Sequence, residues 1–410
     1  MLLYFLIITG VLFTVFGLFS YWQERKYRNK PYYKLSEVGW RKCLPRPEAQ
    51  LVHSIAFMGD VGAVAIDGTD PVLRVMREWQ QGAGANGTVL FLGDNLYPVG
   101  LPPEDNLHHK TALERLNHLL DLVRSYDGRS IFLSGNHDWN KGRKNGLEYV
   151  LRQEKHVVET LQDERSYLPR HGCPGPETIQ LAEGLLLVVI NTQWWVQRGE
   201  KPMGQAQGCP YNDIDEFFLR LKKILRQNRH QRIVIAAHHP LYSNALHGGK
   251  FTMKQHIFPL TAAHKRIYIP LPIFGSLYPF YRKLFGAYED MSHRKYKRMR
   301  KRLLRILHQN SNIVYVAGHD HNLQHFEVRQ NHYIVSGSGS KTSFVKKGGK
   351  ASFTLEQKGF FVLNYYSTGE LWLEAVAAST AENAALPGTV VFRKELHPVL
   401  QSRPVEQEQV

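Results

Sequence analysis

The sequence predicts a layered α/β domain behind an N-terminal membrane-spanning helix, and three observations lead there. Short apolar runs of strand length alternate with amphipathic stretches of helical period. Five of those runs end in a short polar motif built from Gly, Asp, Asn and His. The first 22 residues carry no charged side chain.

Composition sets the outer bounds. A chain of 410 residues with 43% hydrophobic and 21% charged side chains is an ordinary globular mix. It excludes wholesale disorder, a collagen repeat and a coiled-coil rod. One large α/β domain with insertions fits the length, and so do two or three smaller domains. Lys and Arg number 52 against 36 Asp and Glu, a net charge of +16. Such a surface favours anionic partners: phosphate esters, nucleic acid or acidic lipid headgroups. Three cysteines without a CxxC pair exclude a dense disulfide scaffold and a cysteine-based zinc module. Cys173 and Cys209 are either partners across a loop or free buried thiols, and the sequence leaves both readings open.

Residues 1–23 read as an uncleaved single-pass anchor. As a helix the run spans about 30 Å, the thickness of a bilayer's hydrocarbon. A signal peptide is the weaker reading, because no Lys or Arg precedes the run and bulky Leu18 and Phe19 stand where cleavage needs small residues. Arg25, Lys26, Arg28 and Lys30 follow directly, and this flanking charge places the bulk of the chain on the cytosolic side. Residues 24–50 read as a polar, Pro-containing linker.

The core domain is expected over 51–380. Strand-like runs lie at 54–58, 88–92, 131–133, 185–190, 233–237 and 313–317, with amphipathic stretches at 107–126, 146–161 and 212–227. Asp213, Asp215 and Glu216 suit the N-terminus of the last helix. After residue 320 the pattern turns to strands at 324–328, 332–335, 359–365 and 371–376, and 381–410 read as a C-terminal extension.

Residues 243–308 break the alternation and read as an insertion. An apolar, aromatic piece there is interrupted by Pro270, Pro272, Gly275 and Pro279, so it cannot be a regular transmembrane helix. A basic amphipathic helix follows, with Met299, Leu303 and Ile306 at helical spacing. Two readings stand. One is a lid or membrane-interface platform, with Tyr268, Phe274, Tyr278, Phe280 and Tyr281 at headgroup depth and the basic stretch meeting anionic lipid. The other is an ordinary structural insertion with a solvated basic helix.

The five strand ends carry the chemistry. They lead into Gly59-Asp60-Val61-Gly62, Gly93-Asp94-Asn95-Leu96-Tyr97, Gly135-Asn136-His137-Asp138, His238-His239-Pro240 and Gly318-His319-Asp320-His321. Ligands of open α/β sheets bind beyond the carboxyl ends of the strands, so five such ends converge on one place. Asp60, Asp94, Tyr97, Asn136, His238, His319 and His321 offer oxygen and imidazole donors without a thiolate. That set suits first-row ions such as Fe, Mn or Zn. Two ions about 3.5–4 Å apart need a bridging carboxylate. Each motif alone is a common polar loop; their joint occurrence after apolar strands points to a shared centre.

In order and spelling the motifs resemble the calcineurin-like metallophosphoesterase superfamily over residues 51–340, the insertion excluded. GDNLY, with Tyr97 three positions after Asp94, is similar to the purple acid phosphatase-like branch. The one departure is Ile235 in place of the valine of the usual fourth motif. The resemblance implies a four-layer αββα sandwich, two mixed sheets flanked by helices, with metals at the strand ends. It implies Asp60, Asp94, Tyr97 and His321 around a first ion, Fe(III), and Asp94, Asn136, His238 and His319 around a second, Fe, Zn or Mn, with Asp94 bridging. It implies a phosphomonoesterase in which a metal-held hydroxide attacks phosphorus. His137 is then the candidate general acid, Asp138 its orienting partner, and His239 a phosphate contact or a structural residue. The resemblance favours an exported domain, against the flanking charge. A phosphodiesterase or nuclease of the same superfamily and a non-catalytic membrane scaffold are the alternatives. A nucleic-acid partner is not expected, since few stacking aromatics interleave the basic cluster. Nothing in the sequence speaks to oligomeric state.

Overall fold

The computed structural model describes residues 1–379 and 388–398, apart from 263, 265, 272, 273 and 312. Helix α1 (Leu2–Tyr27) precedes a two-residue strand β1 (Tyr32–Tyr33). Three strand–helix units follow: β2 (Leu51–Met58) and α2 (Pro71–Ala83), β3 (Gly87–Phe91) and α3 (His109–Arg124), β4 (Arg129–Phe132) and α4 (Gly146–Leu161). Next come β5 (Glu177–Ala182), β6 (Leu185–Val189), α5 (Gln193–Val196), α6 (Ile214–Gln227) and β7 (Arg232–Ala236). Helices α7 (Met253–Ile257), α8 (Leu277–Leu284) and α9 (Arg294–Leu307) lead to β8 (Ile313–Ala317). The chain ends in strands: β9 (Leu323–Val328), β10 (Asn331–Ser336), β11 (Ala351–Leu355), β12 (Gly359–Tyr366), β13 (Leu371–Ala378) and β14 (Gly388–His397).

Among the described residues these strands form two sheets, one of six in the order β14-β13-β12-β2-β3-β4 and one of eight in the order β1-β11-β9-β10-β8-β7-β6-β5. β2, β3 and β4 run parallel, as do β6, β7, β8 and β10; the other pairs are antiparallel, so both sheets are mixed. Parallel neighbours require crossovers. The helices α2, α3, α6 and α9 supply those between β2, β3 and β4 and between β6, β7 and β8, while β9 joins β8 to β10. Strands β3, β6, β7 and β8 are buried along their whole length. That is why they read as continuous apolar runs rather than as an alternation.

Three apolar clusters account for four layers. The first lies between the sheets, where Ile55, Phe57, Leu90 and Leu92 meet Val234, Val314 and Val316. The second packs α2, α3 and α4 on the outer face of the six-stranded sheet, through residues such as Met76, Leu116 and Val150. The third packs α6 and α9 on the outer face of the eight-stranded sheet, through Phe217, Leu221, Met299 and Leu303. Local signals fix the helix starts. Asp70 caps α2 by accepting the Val72 N–H at 3.0 Å, and Asp213 caps α6 by accepting from Asp215 and Glu216.

The structure redraws the insertion. Tyr296, Met299, Leu303 and Leu307 of α9 are buried in the outer helix layer. The basic helix is therefore an ordinary crossover that turns its charge to solvent, and the excursion from the core narrows to the stretch before it. The chain on either side of the core is also tied down. The Arg28 guanidinium grips buried Glu356 at 2.6 and 2.8 Å, β1 pairs with β11, and Trp40 enters the core between the sheets. Within the expected C-terminal extension, residues 388–397 form β14 on the edge of the six-stranded sheet; residues 381–387 and 399–410 lie outside the described residues. The expected span 1–23 falls in α1. Among the described residues no helix is long and apolar enough to cross a membrane; the side chains of 2, 3, 5–7, 11, 13 and 14 lie outside the described set. Cys173 and Cys209, left open by the sequence, form a disulfide, and Cys43 is free and exposed.

Candidate metal centre

The carboxyl ends of β2, β3 and β4 in one sheet face those of β7 and β8 in the other. All seven expected donor residues gather in the cleft between them. The turns that aim them inward are strained: Asp60, Asp94 and His319 have φ of 61°, 55° and 72°, in the left-handed region. Gly93, at φ 85°, has no room for a side chain. A Cβ there would lie 2.5 Å from the Gly135 nitrogen and 2.8 Å from His238 Nδ1. The glycine before the aspartate is thus what lets two strand ends approach each other.

One half of the centre is built round the Tyr97 hydroxyl. It lies 3.0 Å from Asp60 Oδ1, 3.1 Å from Asp94 Oδ2 and 3.0 Å from His321 Nε2. Burial, then the Asp60 and Asp94 charges, push the phenol's pKa well up, so it stays protonated until a cation displaces that proton. The other half is built round Asn136 Oδ1, 2.9 Å from His238 Nε2 and 3.0 Å from His319 Nδ1. Carbonyls fix both imidazoles. His238 Nδ1 donates to the Leu92 oxygen at 2.8 Å, and His319 Nε2 donates to the Glu289 oxygen at 2.9 Å. In the neutral rings, Nε2 of His238 and Nδ1 of His319 are then lone pairs aimed at an amide oxygen. Three acceptors converge with no proton of their own, which is the fit expected of a cation site.

Charge at this spot agrees. Burial opposes a proton on His238, but Asp94 and Asp60 outweigh it and raise the pKa, so positive charge is favoured at its Nε2, carried by a proton or by a metal ion that displaces it. Burial and the imidazoles of His247, His239 and His238 hold His319 neutral, its ligating form. Burial raises the pKa of Asp94, yet His238 and His137 outweigh that and hold it at about 2. Asp94 joins the halves: Oδ2 faces Tyr97 while Oδ1 lies 3.5 Å from His238 Nε2. Asp60, Asp94 and His238 form one group of potential metal donors, and His238, His239 and His319 another.

The three expected catalytic residues fare differently. His137 sits at the mouth, 4.4 Å between ring centroids from Tyr97, with Nε2 3.9 Å from Asp94 Oδ2. Its Nδ1 donates to the Pro98 carbonyl at 2.7 Å, so Pro98 orients the ring in the place expected for Asp138. Asp138 instead is fully buried beneath the loops. It accepts backbone N–H groups from Gly135 at 2.8 Å, Asn95 at 3.0 Å and Leu96 at 3.2 Å. Burial, then the Asp94 charge, raise its pKa to about 7. His239 is also fully buried. Its Nδ1 pairs with Thr192 Oγ1 at 2.9 Å, and among the described residues its Nε2 has no hydrogen-bond partner. It is enclosed beside His238 and His319 rather than exposed at the mouth.

The sequence reading missed several neighbours. Glu289 accepts from Asn136 Nδ2 at 3.1 Å, besides holding His319 through its carbonyl. The His247 ring lies tilted against His319, 4.2 Å between centroids, and pairs with Asp290 at 3.0 Å. Lys341 sets its ammonium 3.4 Å from the centre of the Tyr97 ring. Glu289, Asp290 and His247 lie within the expected insertion, with no motif round them, and Lys341 follows a Gly/Ser loop. No local signal marks any of them.

The family model for calcineurin-like phosphoesterases matches residues 53–323. The chain is a calcineurin-like phosphoesterase. Membership implies phosphate-ester substrates and metal ions at this phosphoesterase's strand ends. No sequence relative is found among curated proteins. Among solved structures, it is similar to GAP50, the anchor in the inner membrane complex of Plasmodium, at 14% identity and TM-score 0.50, over 86% of this chain and 90% of that one. This likeness extends to the fold alone. Purple acid phosphatase PPD1 from yellow lupin gives 13% identity and TM-score 0.46, over 85% of this chain and 55% of that one. PhoD gives 10% identity and TM-score 0.49, over 88% and 74%.

Proposed function

We propose that this phosphoesterase is a two-metal phosphomonoesterase of the purple acid phosphatase-like branch, attached to a membrane through α1. The observation that carries the reading is the Tyr97 hydroxyl in contact with Asp60, Asp94 and His321. Asp60, Asp94, Tyr97 and His321 would hold a ferric ion, and Asp94, Asn136, His238 and His319 a second ion, Fe, Zn or Mn. When bound, the two ions would neutralise phosphoryl charge and supply an acidified water as nucleophile.

The chain's own side chains do the rest. His137, at the mouth with its ring oriented by Pro98, gives a proton from Nε2 to the departing alkoxide. Lys341, exposed beside Tyr97, adds positive charge where an anionic ester enters. Asp138 sets the shape of the Gly135 and Asn95 loops and takes no part in proton transfer.

Two observations support exported attachment. In α1 the described apolar side chains Leu12, Val15, Phe16 and Phe19 are 64%, 59%, 65% and 57% exposed, as suits a helix whose surroundings are lipid. The Cys173–Cys209 disulfide suits an oxidising compartment and outweighs the basic flank of the span.

The test is direct. Metal-restored protein is expected to hydrolyse p-nitrophenyl phosphate and Asp94→Ala to lose that activity. A visible iron–phenolate absorption band is expected, and Tyr97→Phe should remove it. Turnover that survives Asp94→Ala overturns the site, and a band that survives Tyr97→Phe overturns the iron assignment.

A further inference from the structure

Helix α8 is amphipathic the wrong way round. Leu277, Phe280, Tyr281 and Leu284 fall at i, i+3, i+4 and i+7, and they are 62%, 59%, 58% and 50% exposed. The inner side carries buried Pro279 and Arg282, whose Nε donates to Asp290 at 2.8 Å. A helix in water buries its apolar stripe and exposes its charge. The next helix, α9, does just that, with Tyr296, Met299 and Leu303 inside and its basic residues outside. Phe274 and Phe285 extend the outward stripe of α8 at both ends, at 72% and 63% exposure. A contiguous exposed apolar face of this kind marks an interaction surface.

What covers it follows from where it lies. The stretch before α8 climbs along α1. The Met253 N–H donates to Glu24 at 2.9 Å, and Ile257 Cδ1 lies against Gly17. Seven residues of helix separate those two contacts, about 10 Å along its axis. The direction runs from the charged end of α1 into its uncharged part, and α7 packs against both α1 and α8, which brings the two exposed apolar surfaces to the neighbourhood of α7. Basic side chains line the boundary. Lys26 lies over Trp22 at 4.9 Å, and Lys254 reaches the Tyr268 hydroxyl at 2.7 Å with its ammonium over the ring. Apolar rings below, aromatic hydroxyls and ammonium groups at the border, and polar protein above form the profile of an interfacial helix on anionic lipid.

The same segment reaches the metal centre. Asp290 holds both Arg282 of α8 and His247, and Glu289 beside it holds Asn136 and His319. From Phe285 on the outward face to Glu289 is four residues, at most about 14 Å of chain. The Glu289 side of the centre therefore lies within reach of lipid headgroups when the apolar face is seated.

We propose that the outer face of residues 274–288, together with α1, docks on a lipid bilayer, and that the substrate is a phosphomonoester borne by a membrane lipid. The docking stands on the geometry alone; the substrate class rests on the phosphomonoesterase reading above. The experiment has two arms. In the first, the full chain with Cys43→Ser is reconstituted in nanodiscs of phosphatidylcholine and phosphatidylglycerol. A nitroxide is attached at Phe280→Cys or, as a water-exposed reference, at Leu107→Cys. Docking predicts that the label at 280 collides preferentially with oxygen and the label at 107 with a water-soluble nickel chelate. A nickel preference at 280 overturns the docking, as does spin–spin broadening between two copies without an oxygen preference.

In the second arm, hydrolysis of phosphatidic acid, phosphoinositides and polyprenyl phosphate in nanodiscs is measured against soluble p-nitrophenyl phosphate. The Leu277→Ser, Phe280→Ser, Leu284→Ser triple variant is expected to lower the lipid-to-soluble ratio about tenfold. An unchanged ratio, or parent protein that cleaves the soluble ester and no lipid, overturns the lipid substrate. Parent protein that cleaves neither overturns the phosphomonoesterase reading, with the docking still decided by the labels.

Discussion

Asp94 and Asp138 leave neighbouring strand ends, and their surroundings give them different work. Asp94 shares its two oxygens between Tyr97 on one side and His238 and the His137 amide on the other. Asp138 spends its oxygens on three backbone N–H groups that water cannot reach. Removing it leaves those donors buried without an acceptor. Asp138→Ala is accordingly expected to cost about 3 kcal/mol of stability, read from urea denaturation, as well as metal affinity. A partner of His137 alone would show lost turnover with an unchanged urea midpoint. Both acids were visible in the sequence as members of GD and GNHD motifs. That Asp138 turns to backbone N–H groups and not to His137 was not, because its contacts at Asn95 and Leu96 come from a different loop.

At the scale of elements, the strand-to-loop turns do the positioning. Strands β2, β3 and β8 each end in a glycine followed by a ligand candidate at positive φ. The motif spelling is a record of that backbone geometry. Gly93→Ala is expected to push Gly135 and His238 apart, with a stability loss of about 2 kcal/mol or more and weaker metal retention in dialysis. Wild-type metal content in Gly93→Ala protein would show that the approach of the two loops is not needed. Helices α8 and α9 make the complementary point. Only α9 was legible as amphipathic from periodicity, while α8 read as part of an apolar piece broken by prolines, and periodicity does not say whether an apolar side is covered. Packing on the eight-stranded sheet settles that for α9 and leaves α8 outward.

For the whole molecule, acid sensitivity follows from buried histidines. His53 bridges β2 and β3 through Thr88 at 2.9 Å. Burial, helped by the nearby Arg129 charge, lowers its pKa to about 4. The unfolded chain, with an ordinary histidine near 6.5, binds the proton first. The contribution of neutral His53 is thus complete above about pH 6.5 and is lost as the pH falls towards 4. Between pH 7.5 and pH 5 this amounts to about 2 kcal/mol, and His53→Gln is expected to flatten the urea midpoint against pH by that share. A profile unchanged by His53→Gln would show that other groups govern the acid limb. The Cys173–Cys209 bridge acts on the same scale, closing a 36-residue separation.

The sequence by itself determined the layered α/β core, the five strand ends and the seven polar residues that gather there. Those features are local: a strand buried on both faces must be apolar, and a tight turn into a crowded cleft must be glycine. The tertiary structure alone decided what sequence-distant segments do to one another. It brought Glu289 and His247 onto Asn136 and His319, set Asp138 on backbone N–H groups beneath the loops, paired the two cysteines, drew β1 and β14 onto sheet edges and turned the stripe of α8 outward. Each of these depends on contacts between residues far apart in the chain, and no period or motif along one segment encodes its partner.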